Sequence, residues 1–159
     1  MFKLSKKAEY GLLVLHHLGG LGPGAKATVG EIADAQSVPR VLLAKVTQTL
    51  KRAGLLTSTK GATGGYSLAR PLENIYFLEV VRLFEEYVGM SRCADPGPVP
   101  CERVGCCALV TPMMTLNAYV MRQLQMLTMD AFLAETPEVA SRPPLNRAVS
   151  TSELRIDPA

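Results

Sequence analysis

A chain of 159 residues, 48% of them apolar, is long enough for one domain with its own core plus an added helix or tail. Its net charge of +3 conceals an asymmetry: residues 1–70 carry ten Lys and Arg against Glu9, Glu31 and Asp34, whereas the remainder carries seven against eleven acidic residues. Attraction to a polyanion is therefore concentrated in the N-terminal part, and with no apolar run near the ~18 residues of a membrane span and no signal-peptide core after Met1, a cytoplasmic protein without a membrane partner is expected.

The first expected helix covers residues 6–18, with Ser5 as cap and Ala8, Leu12, Leu15 and Leu18 near one face. Lys3, Lys6 and Lys7 at its start are solvated or within reach of phosphate. His16 and His17, neighbours that point in different directions, read as packing or surface residues. Gly19 to Ala27 reads as a loop. Thr28 and Glu31 then have capping-box spacing, which starts a short helix ending near Gln36. Ser37-Val38-Pro39 makes a tight turn, and Pro39, which suits a helix's first turn, opens a second helix running to about Ala53 and stopping at Gly54. On this helix Leu42, Leu43, Val46, Leu50 and Ala53 share one face. Val41, Ala44, Gln48, Lys51 and Arg52 lie opposite, with Lys45 at the border. Small side chains between long cationic ones suit a DNA major groove: Arg40, Val41 and Gln48 are the candidates for base edges, and Lys45, Lys51 and Arg52 for phosphate. Leu55 to Lys60 and Gly65 to Leu68 are two β-like runs around the Gly-rich tip GATGG, a hairpin in which Lys60, Gly64 and Gly65 can approach a duplex closely. Two helices and such a hairpin make a winged helix-turn-helix.

Past the hairpin, Pro71 to Asn74 reads as a turn and Phe77 to Val88 as a helix, with Phe77, Val80, Val81 and Phe84 inward, Glu79 and Glu86 solvated and Glu85 at the border. No nucleophile or phosphate-binding loop accompanies these carboxylates, so no enzymatic chemistry is expected of them. All four cysteines follow within fifteen residues: Cys93, Cys101, Cys106 and Cys107, among Pro, Gly and charge. Thiolates gathered on one loop suit an iron-sulfur cluster or another soft metal. A reducing compartment disfavours a disulfide, and the lack of a CxxC speaks against a zinc ribbon or a thioredoxin-like pair, although zinc and reactive thiols remain alternatives. From Pro112 to Leu133 one long helix is expected, with Met113, Asn117, Val120, Leu124, Leu127 and Ala131 forming a coiled-coil-like seam against a second copy of the chain. Leu116 and Met121 widen that seam, and Asn117 sets register. Its methionines read as packing rather than copper ligands. From Glu135 the chain is rich in Pro, Ser and charge and reads as an extended tail.

The run GLLTSTKGATGGYSLARPLENIYFLEVVRLFEE, the KLSKKAEYGL start and the clustered cysteines together resemble the IscR and NsrR family of winged-helix bacterial regulators over roughly residues 2–134. The resemblance implies a homodimer that binds a palindromic operator and often carries a [2Fe–2S] or [4Fe–4S] cluster sensing iron supply, nitric oxide or redox state. It implies Cys93, Cys101 and Cys107 as ligands, with seven residues instead of the relatives' five in the first interval. Cys106 replaces Cys107, adds a fourth thiolate or is a spectator. The histidine that completes the site in IscR-like relatives is Val110 here. NsrR-like relatives use a carboxylate from the other subunit, which aligns with Glu9 of the partner subunit; the plainer reading of Glu9 is a surface carboxylate favoured by a helix N-terminus.

The expected architecture is thus mostly α with a small β-hairpin: a winged helix-turn-helix domain over 1–88, a cysteine-rich loop over 89–110, a dimerisation helix over 111–134 and a tail over 135–159. The expected function is a homodimeric DNA-binding transcriptional regulator, a repressor that senses through an iron-sulfur cluster. The rivals are a regulator using thiols or zinc, and a cysteine-loop redox or metal-trafficking protein whose basic helix is merely solvated.

Overall fold

Two capped helices open the chain in a computed structural model that describes residues 3–61, 64–94 and 101–134. The wing tip at 62–63, the stretch 95–100 between the first two cysteines and the tail from 135 lie outside the described residues. In α1 (Lys6–Gly20) the Ser5 hydroxyl accepts from the Ala8 amide at 3.3 Å, and the helix runs two residues past the expected Leu18. In α2 (Val29–Gln36) the capping box is complete: Thr28 Oγ1 accepts from Glu31 N at 3.2 Å, and Glu31 Oε2 accepts from Thr28 N at 2.6 Å. Hydrogen bonding to Thr28 holds the Glu31 carboxyl below the usual carboxylate range, the Thr28 backbone contributing most.

The next two helix ends use one device twice. At the end of α2, Val38 N donates to Ala33 O at 3.0 Å across Ser37, which is left-handed at φ 53°. At the end of α3 (Arg40–Arg52), Leu55 N donates to Leu50 O at 3.0 Å across Gly54, left-handed at φ 74°. Both are Schellman closures, one with the glycine such a position favours and one with a serine that must bear the strain. Pro39 stands just before α3, as its cap residue, not inside the first turn.

These closures fold α1, α2 and α3 onto one core, in which Leu15, Leu18, Ile32, Leu43, Leu50 and Leu55 are fully buried. The inward residues of α3 are Leu43, Val46, Thr47 and Leu50. Leu42 and Ala53, expected to share that face, are exposed, because the buried stripe centres one position further along and takes in Thr47. Thr47 is tolerated there because its hydroxyl donates to Leu43 O at 2.7 Å.

The hairpin forms as expected from β1 (Leu56–Thr59) and β2 (Gly65–Leu68), in antiparallel register from Leu56 opposite Leu68 to Thr59 opposite Gly65. Ala27 pairs with Tyr66 through both backbone hydrogen bonds, at 3.0 and 2.8 Å, and so seats the hairpin against the start of α2.

Beyond the hairpin two expected elements differ. After a short 3-10 turn (Leu72–Asn74), α4 covers only Phe77–Arg82, not Phe77 to Val88. Its end is pulled towards α1: Glu85 Oε1 accepts from Ser5 N at 2.6 Å, so this carboxylate caps another helix instead of extending its own. Phe84 packs against the core, and Glu79, expected to be solvated, is half-buried in an ion pair with Arg70. The long helix expected over 112–133 is broken in two, α5 (Val110–Met126) and α6 (Met129–Leu133). Between them the backbone extends so that Leu127 O accepts from Phe77 N at 2.8 Å and Met129 N donates to Ile75 O at 2.7 Å. Met129 is thereby buried completely, a tertiary gain that outweighs helical continuity.

Candidate nucleic-acid interface and cysteine segment

Burying Leu43, Val46, Thr47 and Leu50 turns the opposite side of α3 outward. Val41 is 72% exposed, and Lys45, Gln48, Lys51 and Arg52 lie on the same outward side, with Ala44 half-buried there. Lys60 at the end of β1 is also exposed. Among the described residues none of these four cations forms an ion pair, so their charges are available to a partner. Arg40 differs. Its guanidinium is held by Asp34 of α2, Nη2 to Oδ2 at 2.6 Å and Nε to Oδ1 at 3.3 Å, with both side chains about two-thirds exposed (66% and 65%). In the sequence Asp34 is visible only as a charge.

The two wing glycines that the sequence suggests as DNA contacts have a reason inside the fold. A Cβ on Gly64 would lie 2.4 Å from Thr59 O and 2.8 Å from Gly61 O, and one on Gly65 would lie 2.9 Å from Ala27 O. Backbone stands where a side chain would go, so only glycine closes this hairpin on its neighbour strand.

The cysteine segment is less ordered into elements. Residues 101–107 form successive turns that lead into α5, with Val104 N bonded to Cys101 O at 3.2 Å and Cys107 N to Arg103 O at 2.9 Å. All four thiols are free; Cys93, Cys101 and Cys107 are half-buried and Cys106 is exposed. Cys93 Sγ lies 3.1 Å from the Ser91 hydroxyl. Among the described residues no three His, Cys, Asp or Glu side chains converge as a metal site would require. Glu9, the carboxylate expected to act across a dimer, is paired with Lys6 on its own helix, and that pairing raises the Lys6 pKa. The donor chemistry of three free, accessible thiols fits an iron-sulfur cluster, while their convergence is not formed in this structure.

Only part of the seam expected on the long helix turns inward: Met113 and Val120 are half-buried, and Ala131 and Leu116 are exposed. Met121 is buried, Leu124 and Leu127 pack against the core, and Asn117 Oδ1 accepts from Met90 N at 2.9 Å within the chain. A different stripe faces outward: Leu109, Pro112, Leu116, Tyr119, Gln123 and Met126, all exposed, recur at alternating intervals of three and four. Leu109, Tyr119 and Met126 are 63%, 66% and 70% exposed. That spacing is legible in the sequence beside the expected seam.

A family model described as an iron-dependent transcriptional regulator, Rrf2, matches residues 4–135. The chain belongs to the Rrf2 family. Rrf2 proteins are transcriptional regulators that bind DNA and are not enzymes. Protein aau3 of Rhizobium meliloti is 31% identical over 138 residues, 86% of this chain and 88% of that protein. Among solved structures, CymR, the global cysteine regulator of B. subtilis, has a TM-score of 0.68 at 22% identity, covering 86% of this chain and 99% of that one. IscR of T. potens has a TM-score of 0.64, also at 22% identity, covering 89% and 93%. Both likenesses bear on the fold, the winged helix that the Rrf2 assignment shares. No helix among the described residues is long and apolar enough to cross a membrane.

Proposed function

We propose that this Rrf2 protein is a homodimeric, cytoplasmic repressor whose grip on a palindromic operator is set by an iron-sulfur cluster. The observation that carries the DNA reading is the unpaired cationic set Lys45, Lys51, Arg52 and Lys60 around the exposed Val41 and Gln48, on one helix and the wing beside it. Gln48 and Val41 read base edges, and the four cations meet phosphate. Two copies joined along the outward stripe of α5, from Leu109 to Met126, bring two α3 helices to half-sites about one turn, roughly 34 Å, apart. Leu116→Glu combined with Met126→Glu should convert the dimer to monomer by light scattering while each fold persists, since both side chains are exposed.

Cys93, Cys101 and Cys107 would hold the cluster, with Cys106 or Glu9 of the partner subunit as the remaining donor. A bound cluster supplies a centre sensitive to iron, nitric oxide or oxidants; the residues of this chain contribute soft sulfur donors on a turn-rich segment that leads directly into α5. Anaerobic isolation followed by a visible spectrum, iron and sulfide analysis, and operator binding by loaded and stripped protein tests the reading. A colourless protein without iron, or equal operator binding by both forms, overturns the sensing part. The free and unconverged thiols favour one second reading, a regulator in which the same cysteines respond directly by thiol chemistry or hold zinc.

A further inference from the structure

We infer that Asp34 is a positioning residue for operator specificity, which presents the end edge of the Arg40 guanidinium to a guanine in each half-site. The inference rests on the DNA-binding reading above and deepens it. Arg40 is the first residue of α3, beside the outward Val41, and in a helix-turn-helix the N-terminal residues of the second helix are those that meet base edges. A guanidinium has five N–H donors in a rigid plane. Asp34 takes the Nε donor and one Nη2 donor, at 3.3 and 2.6 Å, along the side edge. The second Nη2 donor and one Nη1 donor remain along the end edge, the fork that fits O6 and N7 of guanine, while the other Nη1 donor points back towards Cδ. One turn back on α2 from Asp34, position 30 is glycine. A Cβ there would sit 3.8 Å from Arg40 Cζ and 3.9 Å from Nη1, so a longer side chain would cover the fork that glycine leaves open. An arginine on a flexible stem must otherwise be ordered on binding; here its carboxylate partner has already fixed the plane. The pair spans the turn through Ser37 between the two helices, so its direction is set by the Schellman closure, not by α3 alone.

The pair is exposed and contributes little to folding, so variants should fold normally. The probe is the duplex that the full-length wild-type protein enriches from a randomised library, rebuilt with every single base-pair change and with 7-deazaguanine at each guanine in turn. We expect one G·C pair per half-site at which wild type discriminates on the order of tenfold or more, with that discrimination reduced at least about threefold when the guanine lacks N7. Arg40→Ala should level that position, and Arg40→Lys should not restore it, because an ammonium offers no planar fork. Asp34→Ala should reduce discrimination at that position alone by at least about threefold, while binding to a scrambled duplex holds or rises because a negative charge has gone. A role confined to bracing the two helices would lower binding to every duplex together and leave the base-by-base profile intact. That result, or an Asp34→Ala profile identical to wild type, overturns the inference while leaving DNA binding in place. Failure of the wild-type protein to enrich any duplex overturns both.

Discussion

Replacing Lys51 with Gln removes one of the four unpaired cations at the proposed duplex-facing surface without disturbing any ion pair among the described residues. Each phosphate that a protein no longer neutralises lowers the dependence of log affinity on log salt by about 0.9 units. In a dimer on a palindrome the substitution acts in both copies, so the slope should flatten by about 1.8 units. Between about 50 and about 200 mM salt a change of that size makes the deficit of the variant roughly twelvefold larger at the low end than at the high end, a difference well outside titration error. Fluorescence anisotropy with an operator duplex and with a scrambled one measures it, and both duplexes should respond alike because phosphate carries no sequence. Arg82→Gln, an exposed cation at the end of α4, serves as the control with unchanged slope. A flattening of about 0.9 instead of 1.8 would mean one engaged protomer, and no change in slope would refute the assignment of α3 to the duplex.

Ser37→Gly should stabilise the protein by about 0.5–1 kcal/mol, since relief of left-handed strain exceeds the entropy glycine adds to the unfolded chain, and denaturant titration should show a raised midpoint. Gly64→Ala should cost about 1–3 kcal/mol of local strain at the hairpin, because the new Cβ meets carbonyl oxygens of Thr59 and Gly61; operator affinity should fall while far-ultraviolet circular dichroism keeps its helical signal. Glu31 titrates below its usual value when folded, so its contribution is present above the unfolded value near 4.5 and disappears as pH falls through the lower folded value. The stability advantage of wild type over Glu31→Gln should therefore shrink in acid below about pH 4.5, and a gap that stays constant would exclude the capping carboxylate as its source.

The helix-turn-helix is readable because its signals are local: a capping box at Thr28 and Glu31, a proline before α3, a glycine after it, and a glycine-tipped hairpin. Sequence and fold part chiefly where distant backbone intervenes. Leu124, Leu127 and Ala131 keep helical spacing, yet Leu127 and Met129 bond to Phe77 and Ile75, about fifty residues away in sequence, and the helix parts between them. Its only local trace is Thr128, whose hydrogen bond to the Asp130 carboxylate lowers the pKa of that group, a cap signal inside an apolar run. The end of α4 is hidden for the same reason: Glu85 reads as one more helical residue until Ser5 is found beside it. Arg40 is legible as a cation at the start of a recognition helix, whereas its fixed direction requires the fold, because Asp34 lies across a turn whose left-handed serine no periodicity reveals. On α5 two stripes with nearly equal spacing compete, and only the docking of the helix decides which one remains outside.

The backbone bridge between Tyr76 and Thr128 brings together the two ends of the stretch that carries the cysteines. Closure entropy grows only with the logarithm of loop length, so two residues more or fewer in a connection of a few tens of residues change it by less than about 0.1 kcal/mol. On length alone, a difference of two residues between Cys93 and Cys101 carries a closure cost far below the stability of a folded domain. A change in cysteine spacing there need not wait for compensating changes in the helices on either side.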